Sequence, residues 1–134
     1  MSARLTETGI PSCMNWHIWI IVGGAVAAFL VYKRLTLMRP DTARDWLKQG
    51  AIVIDGRSEG EFSGGHLPGA INIPLDRLSA EIGRLAPYKY QPLLLHCLSG
   101  TRSGIAKGTL QKLGYRHVFN LGSYGRARQI LGDR

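Results

Sequence analysis

Short apolar stretches alternate with amphipathic ones along the chain after residue 41. Four stretches predict strands, because each is short, mostly apolar and bounded by glycine, proline or polar residues; they are residues 51–54, 70–74, 92–95 and 117–121. The segments between them carry apolar side chains at helical spacing; they predict helices over residues 42–49, 75–85, 103–113 and 124–131. Strands that alternate with helices are typical of a parallel sheet. The pattern therefore predicts an α/β domain over residues 41–134.

A different pattern precedes this domain. Residues 16–32 (WHIWIIVGGAVAAFLVY) contain no formal charge, and with Asn15 they approach the roughly 20 residues that a membrane-spanning helix needs. Trp16 and Trp19 at one end and Tyr32 at the other have the positions of interfacial aromatic anchors. We therefore expect a disordered amino terminus over residues 1–14, a transmembrane helix over 15–32 and a tether over 33–40.

The charges around this segment predict its orientation. The basic residues that follow it are Lys33, Arg34 and Arg39, and positive charge marks the cytoplasmic side of a span. We expect a single-pass protein of a bacterial inner membrane with its α/β domain in the cytoplasm. The small residues 23, 24, 27 and 28 form two small-xxx-small pairs that allow a weak homodimer through this helix.

Two other interpretations of the apolar segment stay open. Residues 25–27 (Ala-Val-Ala) resemble a signal-peptidase site, although the apolar run continues beyond them and ends in basic residues, as a stop-transfer anchor does. The segment is also long enough for a buried core helix, but a helix that is apolar on all faces is hard to bury in so small a domain.

Composition narrows the classes of function. The chain has 134 residues and a formal net charge of +8, which suits an anionic substrate or membrane surface. Its basic residues are not clustered with aromatic ones, so nucleic-acid binding is not expected. The two cysteines, Cys13 and Cys97, lie far apart and the four histidines are scattered. This spacing predicts neither a disulfide framework nor a metal site, and we expect no cofactor.

The candidate chemistry lies in residues 96–103 (HCLSGTRS). They join a predicted buried strand to a predicted helix, so backbone N–H groups and the positive end of the helix dipole converge on one loop. Cys97 opens this loop, Gly100 allows a positive φ and Arg102 closes it. Such surroundings stabilise a thiolate, and the pattern predicts a nucleophilic cysteine in an anion-binding loop. A buried structural thiol is the alternative.

Two motifs occur in order along the domain, and they are Asp55-x-Arg57-x-x-x-Glu61-Phe62-x-x-Gly65-His66-Leu67-x-Gly69-Ala70-x-Asn72-Ile73-Pro74 and Cys97-x-x-Gly100-x-Arg102-Ser103. Together they resemble the single-domain rhodaneses, which are thiosulfate sulfurtransferase-like proteins, over residues 39–131. The resemblance implies a parallel five-stranded sheet flanked by helices. It also implies a reaction in which the loop cysteine takes a sulfane sulfur from a donor and hands it to a thiophilic acceptor.

Carried over by position, the resemblance makes Cys97 the residue that forms the persulfide. The remaining loop residues would bind the terminal sulfur or the donor, and they are Leu98, Ser99, Gly100, Thr101, Arg102 and Ser103. Arg102 would contact an anionic donor such as thiosulfate, and a thiol or cyanide would accept the sulfur. A protein persulfide is an alternative donor, because Arg102 is the one charge that the loop offers to a small dianion.

Three supporting residues come from the first motif. Asp55 and Arg57 follow a strand closely, and a buried salt bridge that anchors the loop explains them better than catalysis does. Glu61 is expected to pair with a backbone group or an arginine. His96 alternates with Cys97 along the strand and should face the other side of the sheet. The hydroxyl of Ser103 either touches the bound sulfur or caps the following helix.

Two rival functions compete with sulfur transfer. Phosphatases with a similar loop space cysteine and arginine by five residues, whereas four residues separate Cys97 from Arg102, a ring that suits one sulfur atom better than a phosphate. A phosphatase would also need a general acid, for which Asp55 is the candidate. The other rival is a catalytically silent, membrane-localised binding module, although such a module has no need for a stabilised thiolate.

Overall fold

A computed structural model describes residues 15–132. Its elements, in chain order, are α1 (Trp16–Thr36), α2 (Pro40–Lys48), β1 (Ile52–Asp55), α3 (Glu59–Ser63), β2 (Ile71–Asn72), a 3-10 turn (Leu75–Arg77), α4 (Leu78–Leu85), β3 (Leu93–Cys97), α5 (Thr101–Lys112), β4 (Val118–Ser123) and α6 (Tyr124–Leu131). The chain divides into two compact units, one ending at Leu35 and one beginning at Thr36. The amino-terminal stretch that we expected to be disordered lies outside the described residues.

The helix α1 has the length and composition of a membrane span. It contains 21 residues, so it is about 31 Å long at 1.5 Å per residue, close to the roughly 30 Å hydrocarbon thickness of a bilayer. All of its residues are exposed. A signal sequence has the same features. The helix runs to Thr36, so it includes the first four residues of the segment assigned to the tether.

The second unit contains a parallel sheet in the order β2-β1-β3-β4. Its register sets Asp55 beside His96 and Leu94 beside Phe119. Each of the four strands overlaps one of the stretches that the hydrophobic pattern predicted. The α/β architecture and the parallel sheet are therefore confirmed.

The strand count implied by the family resemblance is wrong by one. The sheet has four strands among residues 15–132 instead of five. Beside β4 the chain makes one ladder-like bond, from the N–H of Met38 to the carbonyl of Asn120 at 3.1 Å. Pro40 then begins α2, and because proline has no N–H it cannot continue this ladder. The segment beside β4 therefore ends before it can form a strand. Arg126 stabilises it by donating to the carbonyl of Met38 at 2.7 Å.

Helices cover both faces of the sheet. One apolar cluster joins Ile54, Leu93 and Leu95 to residues of α4 and α5. The other joins Val53, Leu94 and Leu121 to residues of α2 and α6. Because the sheet is parallel and buried on both faces, the carboxyl ends of β1 and β3 meet at one edge. Asp55 and Cys97 are the last residues of these two strands.

Two helices begin elsewhere than predicted. α2 was predicted to begin at residue 42, but it begins at Pro40, whose fixed φ suits the first helical position. α5 begins at Thr101, two residues before the predicted start, with Gly100 at its cap position. Ser103 therefore lies inside the first turn, and the prediction that it caps the helix is wrong.

Candidate active site

The loop between β3 and α5 depends on glycine at position 100. Gly100 has φ +92°, which disfavours other residues, and a Cβ there would lie 3.2 Å from the backbone of Gly122. The chain can therefore turn sharply after Cys97 and begin α5 four residues later. This turn directs the N–H of Gly100 back toward the cysteine.

The sulfur of Cys97 lies among hydrogen-bond donors. The N–H of Gly100 lies 3.0 Å from Sγ and the hydroxyl of Ser103 lies 3.6 Å from it. Burial, the largest single influence, disfavours the thiolate, but hydrogen bonds from Ser103, Gly100 and Ser99 together outweigh it. They hold the pKa of the Cys97 thiol below its usual value. A structural thiol in apolar surroundings would show the opposite shift.

Asn120 is a residue of the site that the sequence analysis missed. Its Oδ1 accepts hydrogen bonds from the hydroxyl of Ser103 at 2.7 Å and from the N–H of Gly122 at 2.9 Å. Asn120 therefore fixes the position of Ser103 beside Cys97. The signal was present in the sequence as a lone amide in an otherwise apolar strand, because a buried polar side chain needs partners.

Arg102 forms an ion pair across the loop. Its Nη1 and Nη2 donate to the two carboxylate oxygens of Glu61 at 2.9 and 3.0 Å. The bond from Arg102 lowers the pKa of Glu61 to about 2, with help from the N–H of Ser58. The expected arginine partner of Glu61 is thus Arg102. The guanidinium of Arg102 is paired before any donor arrives.

A second ion pair lies buried at the end of β1. Arg57 donates from Nη2 to Oδ2 of Asp55 at 2.7 Å and also to the carbonyl of Gly65. His96 Nε2 lies 3.4 Å from the same carboxylate. Burial alone would raise the pKa of Asp55, but the contacts with His96 and Arg57 outweigh it and hold the pKa below its usual range. The predicted Asp55–Arg57 salt bridge is therefore present, on the face of the sheet opposite Cys97.

The remaining loop residues face solvent. Leu98 is 56% exposed, and the hydroxyl of Ser99 contacts that of Thr101 at 3.4 Å. Beside the loop lies a groove of about 340 Å³ lined by Gly56, Ser58, Pro74, Leu75, Asp76 and Arg102. Pro74 and Leu75 give it apolar surface, so it can hold a small organic group.

The described residues hold no group of three or more side chains suited to a metal ion. Cys13 lies outside the described residues. The site brings together one thiol, its amide and hydroxyl donors, and the neighbouring ion pairs.

Comparisons with known proteins agree with this geometry. The family model described as a rhodanese-like domain matches residues 39–125. The chain is 36% identical to the Bacillus subtilis protein YqhL over 98 residues, which are 72% of this chain and 75% of YqhL. It is 39% identical to the Escherichia coli thiosulfate sulfurtransferase PspE over 69 residues, 52% of this chain and 66% of PspE.

Solved structures give the same result. A rhodanese with anions from E. coli matches with a TM-score of 0.56 and 35% identity, covering 57% of this chain and 91% of that one. The human single-domain sulfurtransferase TSTD1 matches with a TM-score of 0.59 and 28% identity, covering 70% of this chain and 96% of that one.

Proposed function

The chain belongs to the rhodanese-like domain family, and within it we propose that the protein is a sulfurtransferase that carries a sulfane sulfur on Cys97. The observation that carries this proposal is the thiol with a lowered pKa, 3.0 Å from the N–H of Gly100. A nucleophilic sulfur needs the thiolate form, and the donors that stabilise it can also stabilise the charge of a terminal persulfide sulfur.

The proposed reaction has two displacements at sulfur. In the first, the Cys97 thiolate attacks the outer sulfur of the donor, a Cys97–S bond forms, and the donor's S–S bond breaks. For thiosulfate the leaving group is sulfite, which takes the bonding electron pair. In the second, a thiolate or cyanide attacks the terminal sulfur, and the Cys97 thiolate leaves unchanged. No net oxidation occurs, and no cofactor takes part.

Roles for the other site residues follow from their contacts. We assign loop residues 98–103 to the binding of the persulfide or the donor, and Gly100 and Ser103, which donate to Sγ of Cys97, would stabilise the terminal sulfur. Asp55 and Arg57 position the edge of the sheet beneath the loop through their ion pair. Glu61 holds Arg102. These three supporting residues act through position and charge and form no bond to the transferred sulfur.

The rival functions fit the contacts less well. A phosphatase needs a protonated carboxyl to assist the leaving group, but both oxygens of Asp55 are occupied and its pKa is held low. A silent binding module gains nothing from a stabilised thiolate. The sulfurtransferase uses both the lowered pKa of Cys97 and the short cysteine-to-arginine spacing.

We also propose a place for the protein in the cell. Residues 15–32 anchor it as a single-pass protein of a bacterial inner membrane, and residues 33–40 link the anchor to a cytoplasmic domain over 41–134. The exposed apolar surface of α1 and the basic residues at its end support this placement. The partners are then a small sulfur donor or a protein persulfide, and a thiol or cyanide acceptor.

The intact mass of the full-length protein tests the function. After incubation with thiosulfate or an organic thiosulfonate, the protein should gain one sulfur atom, about 32 Da, and lose it again with cyanide. Cys97→Ser should gain nothing, whereas Cys13→Ser, the matched control at the other cysteine, should behave as the wild type. Equal gains in Cys97→Ser and the wild type would refute Cys97 as the sulfur carrier.

A further inference from the structure

The ion pair between Glu61 and Arg102 is reinforced by further hydrogen bonds to the Glu61 carboxylate. Besides its two bonds to Arg102, the Glu61 carboxylate accepts from the N–H of Ser58 at 2.8 Å and from the hydroxyl of Ser58 at 3.1 Å. The hydroxyl of Ser58 in turn accepts from the N–H of Glu61, closing a capping box at the start of α3. Four hydrogen bonds therefore hold the Glu61 carboxylate beside Arg102.

This arrangement changes the charge that a donor meets. Of the described residues that line the groove, Arg102 is the one cation and Asp76 the one anion. Because Glu61 pairs with Arg102, the three side chains of Glu61, Asp76 and Arg102 together carry a net negative charge. A small dianion would meet repulsion from Glu61 and Asp76 and would have to share Arg102 with a carboxylate.

Another part of the groove lining, which we call its floor, is apolar. Pro74 and Leu75 contribute apolar surface to the lining, and Leu75 also packs against the buried cluster beneath it. An apolar substituent on the donor would cover this surface and leave water, which favours binding. The groove thus offers contact to an organic group and little attraction to an inorganic dianion.

We propose that Glu61 determines donor specificity: by pairing with Arg102 beside the Pro74–Leu75 floor, it disfavours small dianions and selects organic sulfur donors of low charge. This inference rests on the proposed sulfurtransferase function. The donors it selects are thiosulfonates or persulfides of thiols, whose organic part lies on the groove floor. With a thiosulfonate, Cys97 takes the outer sulfur and the sulfinate leaves with the bonding electron pair.

Three donors with the same scissile S–S bond separate charge from shape. Thiosulfate is a dianion, methanethiosulfonate is a small monoanion, and benzenethiosulfonate is a monoanion with an apolar ring. The second-order rate of persulfide formation on the full-length protein is measured for each by intact mass. The variant is Glu61→Gln, whose amide oxygen can still accept from Ser58. The matched control is Glu59→Gln, which removes one negative charge from the same helix but contacts Arg77 instead.

The wild type should prefer benzenethiosulfonate to methanethiosulfonate, and methanethiosulfonate to thiosulfate. Glu61→Gln should raise the rate with thiosulfate by about 3- to 10-fold and the rates with the monoanions by a smaller factor, because the repulsion scales with donor charge. Asp76→Asn, which makes no capping bond, should change the rates in the same direction. Glu59→Gln should leave the order and the ratios unchanged.

Three results would overturn the proposal. Equal changes for all three donors in Glu61→Gln would show that Glu61 only positions Arg102. The same selective gain in Glu59→Gln would assign the effect to net charge, and a wild type that prefers thiosulfate would contradict the charge argument directly. In each of these cases Cys97 still gains sulfur, so the proposed function stands. Failure of the wild type to gain sulfur from any donor would overturn the function and the inference together.

Discussion

Ser103 should control the ionisation of Cys97. Its hydroxyl lies 3.6 Å from Sγ and 2.7 Å from Oδ1 of Asn120. When the thiolate forms, the single hydroxyl proton can turn from Asn120 to the sulfur, and Asn120 keeps the N–H of Gly122 as a partner. Ser103→Ala removes this proton and leaves the other polar groups of the loop satisfied, so its effect should fall on the thiolate.

The size of the effect follows from the geometry. A hydrogen bond to a charged group contributes about 1.5–3 kcal/mol, and a contact with sulfur at 3.6 Å belongs at the low end of that range. Since one pKa unit corresponds to about 1.4 kcal/mol, Ser103→Ala should raise the pKa of Cys97 by about one unit. The backbone donors from Ser103 itself, Gly100 and Ser99 remain, so the pKa should not rise far above that of an ordinary thiol.

Alkylation measures this pKa directly. The rate at which iodoacetamide modifies Cys97 is followed against pH by mass spectrometry, in full-length protein carrying Cys13→Ser so that one thiol remains. At a pH below both pKa values, the rate should fall about tenfold in Ser103→Ala, in proportion to the thiolate fraction. Ser99→Ala is the matched control, because the Ser99 hydroxyl contacts Thr101 and only its backbone affects the sulfur.

Two outcomes would refute the reasoning. If Ser103→Ala alkylates with the pH profile of its parent, the hydroxyl does not stabilise the thiolate. If Ser99→Ala shifts the profile as much, the effect belongs to the loop as a whole and not to one hydrogen bond.

Two further predictions concern the buried ion pair and the anchor. Asp55→Asn leaves Arg57 buried without its carboxylate and should destabilise the domain by about 3–5 kcal/mol, measured by denaturant unfolding against the exposed control Asp45→Asn. Because folding lowers the pKa of Asp55, this carboxylate stabilises the domain fully at pH values above its ordinary pKa of 3.8, and the stabilisation is lost as the pH falls below that value. The stability of Asp55→Asn should therefore fall less in acid than that of the wild type. The full-length chain should resist alkaline extraction from membranes and keep the mass of the uncleaved sequence. The double variant Val22→Arg/Val26→Arg should be released from the membrane, whereas the control Val22→Leu/Val26→Leu should stay in it. A shortened mass would identify a signal sequence instead of an anchor.

The sequence predicted the domain well because two of its strand segments are apolar at every position. Residues 51–54 and 92–95 are apolar throughout, and only a sheet covered on both faces buries such stretches fully. The location of Cys97 at a strand's carboxyl end followed from the same pattern. Local sequence was sufficient here because burial and strand formation demand the same residues.

Other features depended on contacts between distant segments. The bond between Glu61 and Arg102 joins residues 41 positions apart, and the link from Ser103 to Asn120 joins two elements that meet only in the folded chain. The early start of α5 depends on Gly100 fitting against Gly122. Spacing along one chain cannot reveal such pairs, so the sequence identified candidates without their partners.

The two edge strands of the sheet, β2 and β4, have a neighbouring strand on one side only. At one edge β2 is two residues long, and Pro74 follows it without an N–H to offer. At the other, the Met38 peptide already bonds to β4, and Arg126 holds both Met38 and the carbonyl of Leu121. Along the described part of the chain, neither edge presents a long row of unpaired backbone N–H and C=O groups. A strand from another molecule therefore has few groups with which to pair. Protection of the β4 edge against strand-by-strand aggregation therefore depends on the few residues that precede α2, and a fragment that begins after Met38 would lose that protection.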